Sequence, residues 1–250
     1  MFIFAKDLRW RMMNNHYNTL KADILRLQGF KSQHNSGVGL QLGEMKHAFP
    51  NQCLPVAAIH EFLVSRPADT AASYGFISAL LSGLTGSNGL GIWVSINQRI
   101  FPNALYTFGL RPEHIVFVTV RNETDALWVI HESLKCKAVT GVIGEVKNIS
   151  FNESRRLQLA VEESHATGFI IRNTNKLTNT ACVSRWKVSS ICTESHEGLP
   201  GVGFPRWKAE LLRIRNGMPG CWEVQWSNGK LKIFSSTDKV KEQQFDRKAG

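Results

Sequence analysis

The chain has 250 residues, 43% of them hydrophobic, and a formal charge of +10, enough apolar content for one full domain core with appendages. No run approaches the roughly 18 apolar residues of a membrane span. The odd count of five cysteines, with no C-x-x-C pair, argues against a disulfide framework and for free thiols in a reducing cytoplasm.

Met1-Phe-Ile-Phe4 meets Lys6, Asp7, Arg9 and Arg11 at once, so it makes no secretory signal. The twelve residues before Met13 bear no relation to the helical pattern beyond it, and Met12 and Met13 are alternative starts. Tyr17, Leu20, Ile24 and Leu27 then fall at helical spacing, with Asn18 as N-cap and Gly29 as stop, so residues 1–30 are expected to hold a short amphipathic helix. Residues 31–55, polar, Gly-rich and ending at Pro50 and Pro55, read as a linker on the surface.

A core is expected over 56–226. Val56–Leu63 reads as a strand and Asp69–Ser82 as a helix with Ala72, Phe76, Ala79 and Leu80 on one side. Gly83–Gly91 is a turn, Ile92–Val94 a strand, Phe101–Leu110 a short helix closed by Gly109, and Ile115–Val120 an apolar strand. Asn122 caps a helix whose Leu127, Ile130 and Leu134 face inward. Val139–Ile143 is a buried strand ended by Gly144 and Glu145. Ser150 and Glu153 form a capping box for a helix that turns Phe151, Ser154, Leu157, Ala160, Val161 and Ser164 inward and Arg155, Arg156, Glu162 and Glu163 elsewhere. Gly168 breaks it, and Phe169–Ile171 is the next strand. Alternating strands and helices predict an α/β, doubly wound, mainly parallel sheet.

After Arg172 the rhythm changes. Cys182–Ser189 alternates as a strand, and Trp207–Arg215 with Cys221–Trp226 makes a C-terminal antiparallel hairpin (207–226). Residues 227–250 are basic and read as a disordered tail. The charge is uneven: residues 1–50 carry seven Lys/Arg against three acids, 51–172 ten against ten and 173–250 thirteen against seven. A polyanion would therefore meet the ends rather than the middle.

The chemistry of catalysis is not visible. A phosphate-binding loop needs glycines, a lysine and a hydroxyl after the first strand, and Val64-Ser-Arg-Pro-Ala-Asp69 supplies no glycine, no lysine and no GK[ST], while Asp69 occupies the helix start. Glu145 stands where such folds hold a metal carboxylate, but with no loop opposite it reads as a sheet-edge carboxylate. His60-Glu61 lacks the second histidine of H-E-x-x-H, and G-x-S-x-G is absent. Cys182, Cys192 and His196 fit no common zinc spacing. No enzyme activity, cofactor or metal is expected.

The motifs then add up. Lys21-Ala-Asp-Ile-Leu-Arg-Leu-Gln28, Leu54-Pro with Ala58-Ile-His-Glu-Phe62, Ala126-Leu-Trp128, Gly144-Glu145, Ser154-Arg-Arg-Leu-Gln-Leu-Ala160, Ser184-Arg-Trp-Lys-Val188 and Gly203-Phe-Pro-Arg-Trp-Lys-Ala-Glu-Leu-Leu-Arg213 resemble, in order, the ImuA family of the bacterial SOS mutagenesis cassette. The resemblance covers most of residues 18–226. It implies a RecA-like core with a degenerate phosphate-binding loop. It also implies a non-catalytic accessory role in error-prone translesion synthesis beside ImuB, a Y-family polymerase homologue, and an error-prone replicative-type polymerase. RecA and single-stranded DNA are further candidate partners. The alternatives are a division inhibitor of the SulA kind, which shares this core, and an ATP-dependent strand-exchange protein.

Two surfaces carry the binding expectations. On the hairpin, Arg206, Trp207, Lys208, Arg213, Arg215, Trp222 and Trp226 combine cations with aromatic rings, the pair of features single-stranded nucleic acid uses; the alternative, preferred because large aromatics usually bury, is that the tryptophans pack the hairpin onto the domain while the arginines are solvated. A period of two puts Trp207, Ala209, Leu211, Arg213 and Arg215 on one face and Lys208, Glu210, Leu212 and Ile214 on the other, and Trp222 and Trp226, four apart on the return strand, share a face. In the N-terminal helix, Leu20, Ile24 and Leu27 offer an apolar stripe for a partner or for this chain's own sheet. The own-sheet reading is preferred because the linker is long enough to fold back. Deleting residues 1–28 should then lower the melting temperature; an unchanged melting temperature with lost partner binding would assign the stripe to a partner.

Overall fold

The computed structural model describes residues 42–234, apart from 87, 98–99, 175 and 194–202, together with Leu20. The strands are β1 (Ile59–Val64), β2 (Leu90–Ser95), β3 (Ile115–Thr119), β4 (Val139–Val146), β5 (Thr167–Asn173), β6 (Ser184–Ser190), β7 (Arg206–Ile214), β8 (Gly220–Ser227) and β9 (Lys230–Phe234). They form one sheet in the order β3-β2-β4-β5-β1-β6-β7-β8-β9. Pairings from β3 through β6 are parallel, and those from β6 through β9 are antiparallel. The expected parallel core with its antiparallel C-terminal hairpin is thus present, and β6 belongs to both halves.

Three α-helices cover the faces: α1 (Pro67–Thr85) on one side, α2 (Glu123–Lys135) and α3 (Phe151–Ser164) on the other. The α1 face is rich in aromatic rings. Phe62 and Trp186 stack with centroids 6.1 Å apart, and Trp207 meets Phe76 edge-on. The α2/α3 face is aliphatic, built on Ile130, Leu134, Val142, Leu157, Val161 and Ile170. Both expected caps form: the Asn122 side chain accepts from the Asp125 amide, and Ser150 and Glu153 close a reciprocal capping box.

Several boundaries differ from the sequence reading, each for a physical reason. β4 runs on to Val146 rather than ending at Gly144. A Cβ at Gly144 would lie 2.3 Å from Ile130 Cδ1, and one at Gly141 would lie 2.4 Å from Leu81 Cδ1. These glycines let helices press on the strand from opposite faces; they do not break it. Helix α3 stops at Ser164, where His165 takes a left-handed φ of 69°, and Gly168 lies inside β5. Phe151, expected inward, is exposed.

The supposed linker is not all surface. Leu42, Met45, Ala48, Phe49 and Leu54 are buried, with Phe49 6.0 Å from the Trp186 ring and Ala48 O accepting from Met218 N. The supposed tail holds β9. Asn228 (φ 53°) and Gly229 (φ 69°) form a tight turn of the kind that needs positive φ at both central residues, and β9 pairs back on β8. Residues beyond 234 lie outside the described ones, as do Ile24 and Leu27 of the N-terminal stripe; Leu20 is helical and exposed.

Two buried polar groups tie the centre together. His60 is fully buried, with Nδ1 2.7 Å from Ser184 Oγ, Nε2 2.8 Å from Pro55 O, and its ring stacked on Phe169. Next to it, Glu61 on β1 is bonded by Arg172 of β5, by Arg185 Nε of β6 at 2.7 Å and by Thr180 Oγ1 at 3.0 Å. Arg172 and Glu61 are both fully buried.

Replacing Glu61 by Gln leaves two guanidiniums without their counter-charge, so Glu61→Gln should cost about 3–5 kcal/mol in urea unfolding. His60 gives a pH signature. Burial pushes its pKa from 6.5 down to about 4, so the unfolded chain binds a proton in that window that the folded chain refuses. Stability should be fully present above pH 6.5 and fall toward pH 4 with a slope approaching about 1.4 kcal/mol per pH unit. His60→Gln should flatten that slope in a pH series of urea midpoints.

Candidate functional site

In a parallel sheet, ligands sit outside the carboxyl ends of the strands where the crossovers part. Here the ends of β1, β2, β4 and β5 surround a cleft of about 360 Å³ lined by Val64, Thr70, Tyr74, Arg121, Glu145 and Asn173 among others. Two side chains in and beside it are already engaged within the fold. Trp93 donates its indole N–H to Glu145 Oε1 at 2.8 Å. Only Ser65 and Arg66 separate β1 from α1, and Arg66 forks onto Asp69 with Nε–Oδ2 of 2.9 Å and Nη2–Oδ1 of 2.8 Å. That contact raises the Arg66 pKa above its ordinary value. The positive end of α1 therefore faces the chain's own carboxylate, not a ligand's.

The hairpin residues are split between two environments. Trp207 and Trp226 are buried, and Trp222 packs against the same aromatic cluster. Phe108 lies 5.7 Å from the Trp207 ring and 6.3 Å from that of Trp226, whose indole N–H donates to Thr107 O. The tryptophans thus pack the hairpin onto the domain, the preferred of the two readings, and do not offer free stacking faces: α1 and the short helix Pro102–Phe108 cover that side.

The arginines are elsewhere. A β-bulge interrupts the β6–β7 pairing: Arg185 pairs with Arg213 and Trp186 with Leu211, leaving Leu212 as the extra residue. Ile214 consequently takes the buried place on the tryptophan side, and Arg213 passes to the opposite face. There Arg213 Nη2 donates to Thr180 O and Cys182 O at 2.9 and 2.8 Å, and Arg215 Nη2 donates to Ala181 O at 3.1 Å. Near the other end of β7, Lys208 pairs with Glu210 at 2.9 Å, while Arg206 sits 3.6 Å from Glu223 and over the Phe234 ring. Hydrogen bonding to Glu210 raises the Lys208 pKa.

The Glu61–Arg172–Arg185 set went unread in the sequence, although an acid in IHEFLV and an arginine closing a buried apolar strand were its signal. Burial and the nearby Glu61 carboxylate push the Cys182 thiol up to about 11, so it is an inert thiol. Cys182 is buried and Cys192 exposed, His196 lies outside the described residues, and no group of three potential metal ligands occurs among the described residues. Nor, among these, is any helix long and apolar enough to cross a membrane.

No family model matches the chain. It is similar to Protein ImuA of Caulobacter vibrioides, in strains NA1000 / CB15N and ATCC 19089 / CIP 103742 / CB 15. Each is 28% identical over 190 residues, spanning 71% of this chain and 78% of the relative. This similarity agrees with the ordered motifs along the sequence that resemble the ImuA family.

Proposed function

We propose that this protein is a non-catalytic accessory factor of SOS-induced, error-prone translesion DNA synthesis, built on a RecA-like core. It works beside an ImuB-like Y-family polymerase homologue and an error-prone replicative-type polymerase in the cytoplasm, with RecA and single-stranded DNA as further contacts. The observation that carries this reading is the extended similarity to Protein ImuA. The geometry at the carboxyl edge supports the non-catalytic part. A two-residue β1–α1 connection gives backbone amides little room to wrap a phosphate, and the Arg66–Asp69 fork occupies the helix start.

Co-purification of the full chain with each candidate partner from its own organism tests the assignment. Recovery of the polymerase homologue is the expected result. Recovery of the tubulin-like division protein without any polymerase component would instead favour a division inhibitor. ATP turnover should not exceed that of a mock purification; turnover above it, abolished by mutating the β1–α1 connection, would overturn the non-catalytic reading.

A further inference from the structure

We infer that the pocket between the start of α3, the segment Thr180–Val183 and the end of β7 binds the phosphodiester backbone of a single-stranded nucleic acid, with the Phe151 ring as its stacking platform. The site rests on the single-stranded DNA contact proposed above and not on the polymerase partnership.

The pocket, about 320 Å³, is lined by Arg155, Arg213 and Arg215 and by no carboxylate. None of the three arginines makes an ion pair among the described residues. Beneath it lie Arg172 and Arg185, which share the single carboxylate of Glu61. Five guanidiniums against one carboxylate leave a strong positive excess in one region of a chain already at +10.

Two of the cations are held in place. Backbone carbonyls of Thr180, Ala181 and Cys182 accept one terminal nitrogen of Arg213 and one of Arg215, which leaves the other donors of each fork to face a ligand. Guanidinium forks oriented in this way suit phosphate oxygens. The third cation, Arg155, is exposed one helical turn after Phe151, so both project from the same side of α3. Phe151 leaves 52% of its surface in solvent although it opens an amphipathic helix.

The ring decides the class of ligand. An acidic peptide would use the arginines but gain little from a flat exposed ring, whereas an unpaired base stacks on it for about 1–3 kcal/mol. A duplex keeps its bases stacked on one another, which favours a single strand. The cation-and-ring combination proposed here lies across α3 and β7, away from the hairpin tryptophans.

The test is fluorescence anisotropy of a labelled oligothymidine with the full chain over a salt series. Arg155→Ala and Phe151→Ala alter exposed side chains, so both should keep the parental melting temperature. Arg155→Ala should weaken binding several-fold and lower the slope of log affinity against log salt by about 0.7. Phe151→Ala should weaken binding several-fold without changing the slope. Lys135→Ala, on α2, should bind as the parent does. Parental binding by both pocket variants at every salt concentration overturns the site. Equal binding of duplex overturns the single-strand assignment, and equal competition by polyglutamate overturns the nucleic-acid assignment in favour of an acidic protein segment.

Discussion

The carboxylate of Glu61 is the interaction on which the sheet depends. It sits on the central strand β1 and receives guanidinium groups from the strands on both sides, Arg172 of β5 and Arg185 of β6. β5 belongs to the parallel half, whereas β6 is the strand from which the antiparallel half extends. One side chain thus joins the two halves. Desolvating three charges is expensive, and the cluster persists because each partner would be costlier alone. Thr180 adds a hydroxyl to Glu61, and Arg185 reaches back to Thr178 O, so the segment leading into β6 is fixed by the same cluster.

That arrangement explains how the two faces differ. The α1 side holds rings, whose polar atoms are tied by single hydrogen bonds: Trp93 to Glu145, Trp186 to Ser184, Trp226 to Thr107 O, and His60 to Ser184 and Pro55 O. The opposite side carries aliphatic helices over the middle of the sheet and a row of arginines beyond their edge. Apolar burial secures the first face, while fixed charge shapes the second. The groove between α2 and α3, about 570 Å³ and bordered by the exposed Trp128, is a further departure from a sealed surface on that side.

Much of the fold was legible because local signals agreed. Asn122 and the Ser150–Glu153 pair capped the helices they were expected to cap, and apolar runs became parallel strands. Reading failed where the cause was tertiary. Gly144 looks like a stop until Ile130 is seen pressing on it. Leu42, Met45 and Phe49 are scattered among polar residues, and their burial against the far end of the sheet has no local period. Asn228-Gly229 was a local signal that went unused; it carried the hairpin to β9. At the candidate site, residue types were legible but their grouping was not, because Arg155 and Arg213 are 58 positions apart in sequence.

The bulge at Leu212 has a consequence of its own. A strand has a reading frame of two, and one extra residue shifts that frame for everything downstream. Upstream of Leu212, odd-numbered residues of β7 point to the tryptophan core; downstream, even-numbered ones do. Position 213 is thereby free to carry charge, while position 214 is committed to the apolar side. Insertions and deletions in β7 therefore differ in kind from substitutions. Losing Leu212 itself would leave a plain alternation with Arg213 and Ile214 on the faces they already hold, whereas one further residue inserted beside it would send an arginine toward the core of rings and an isoleucine out among the cations.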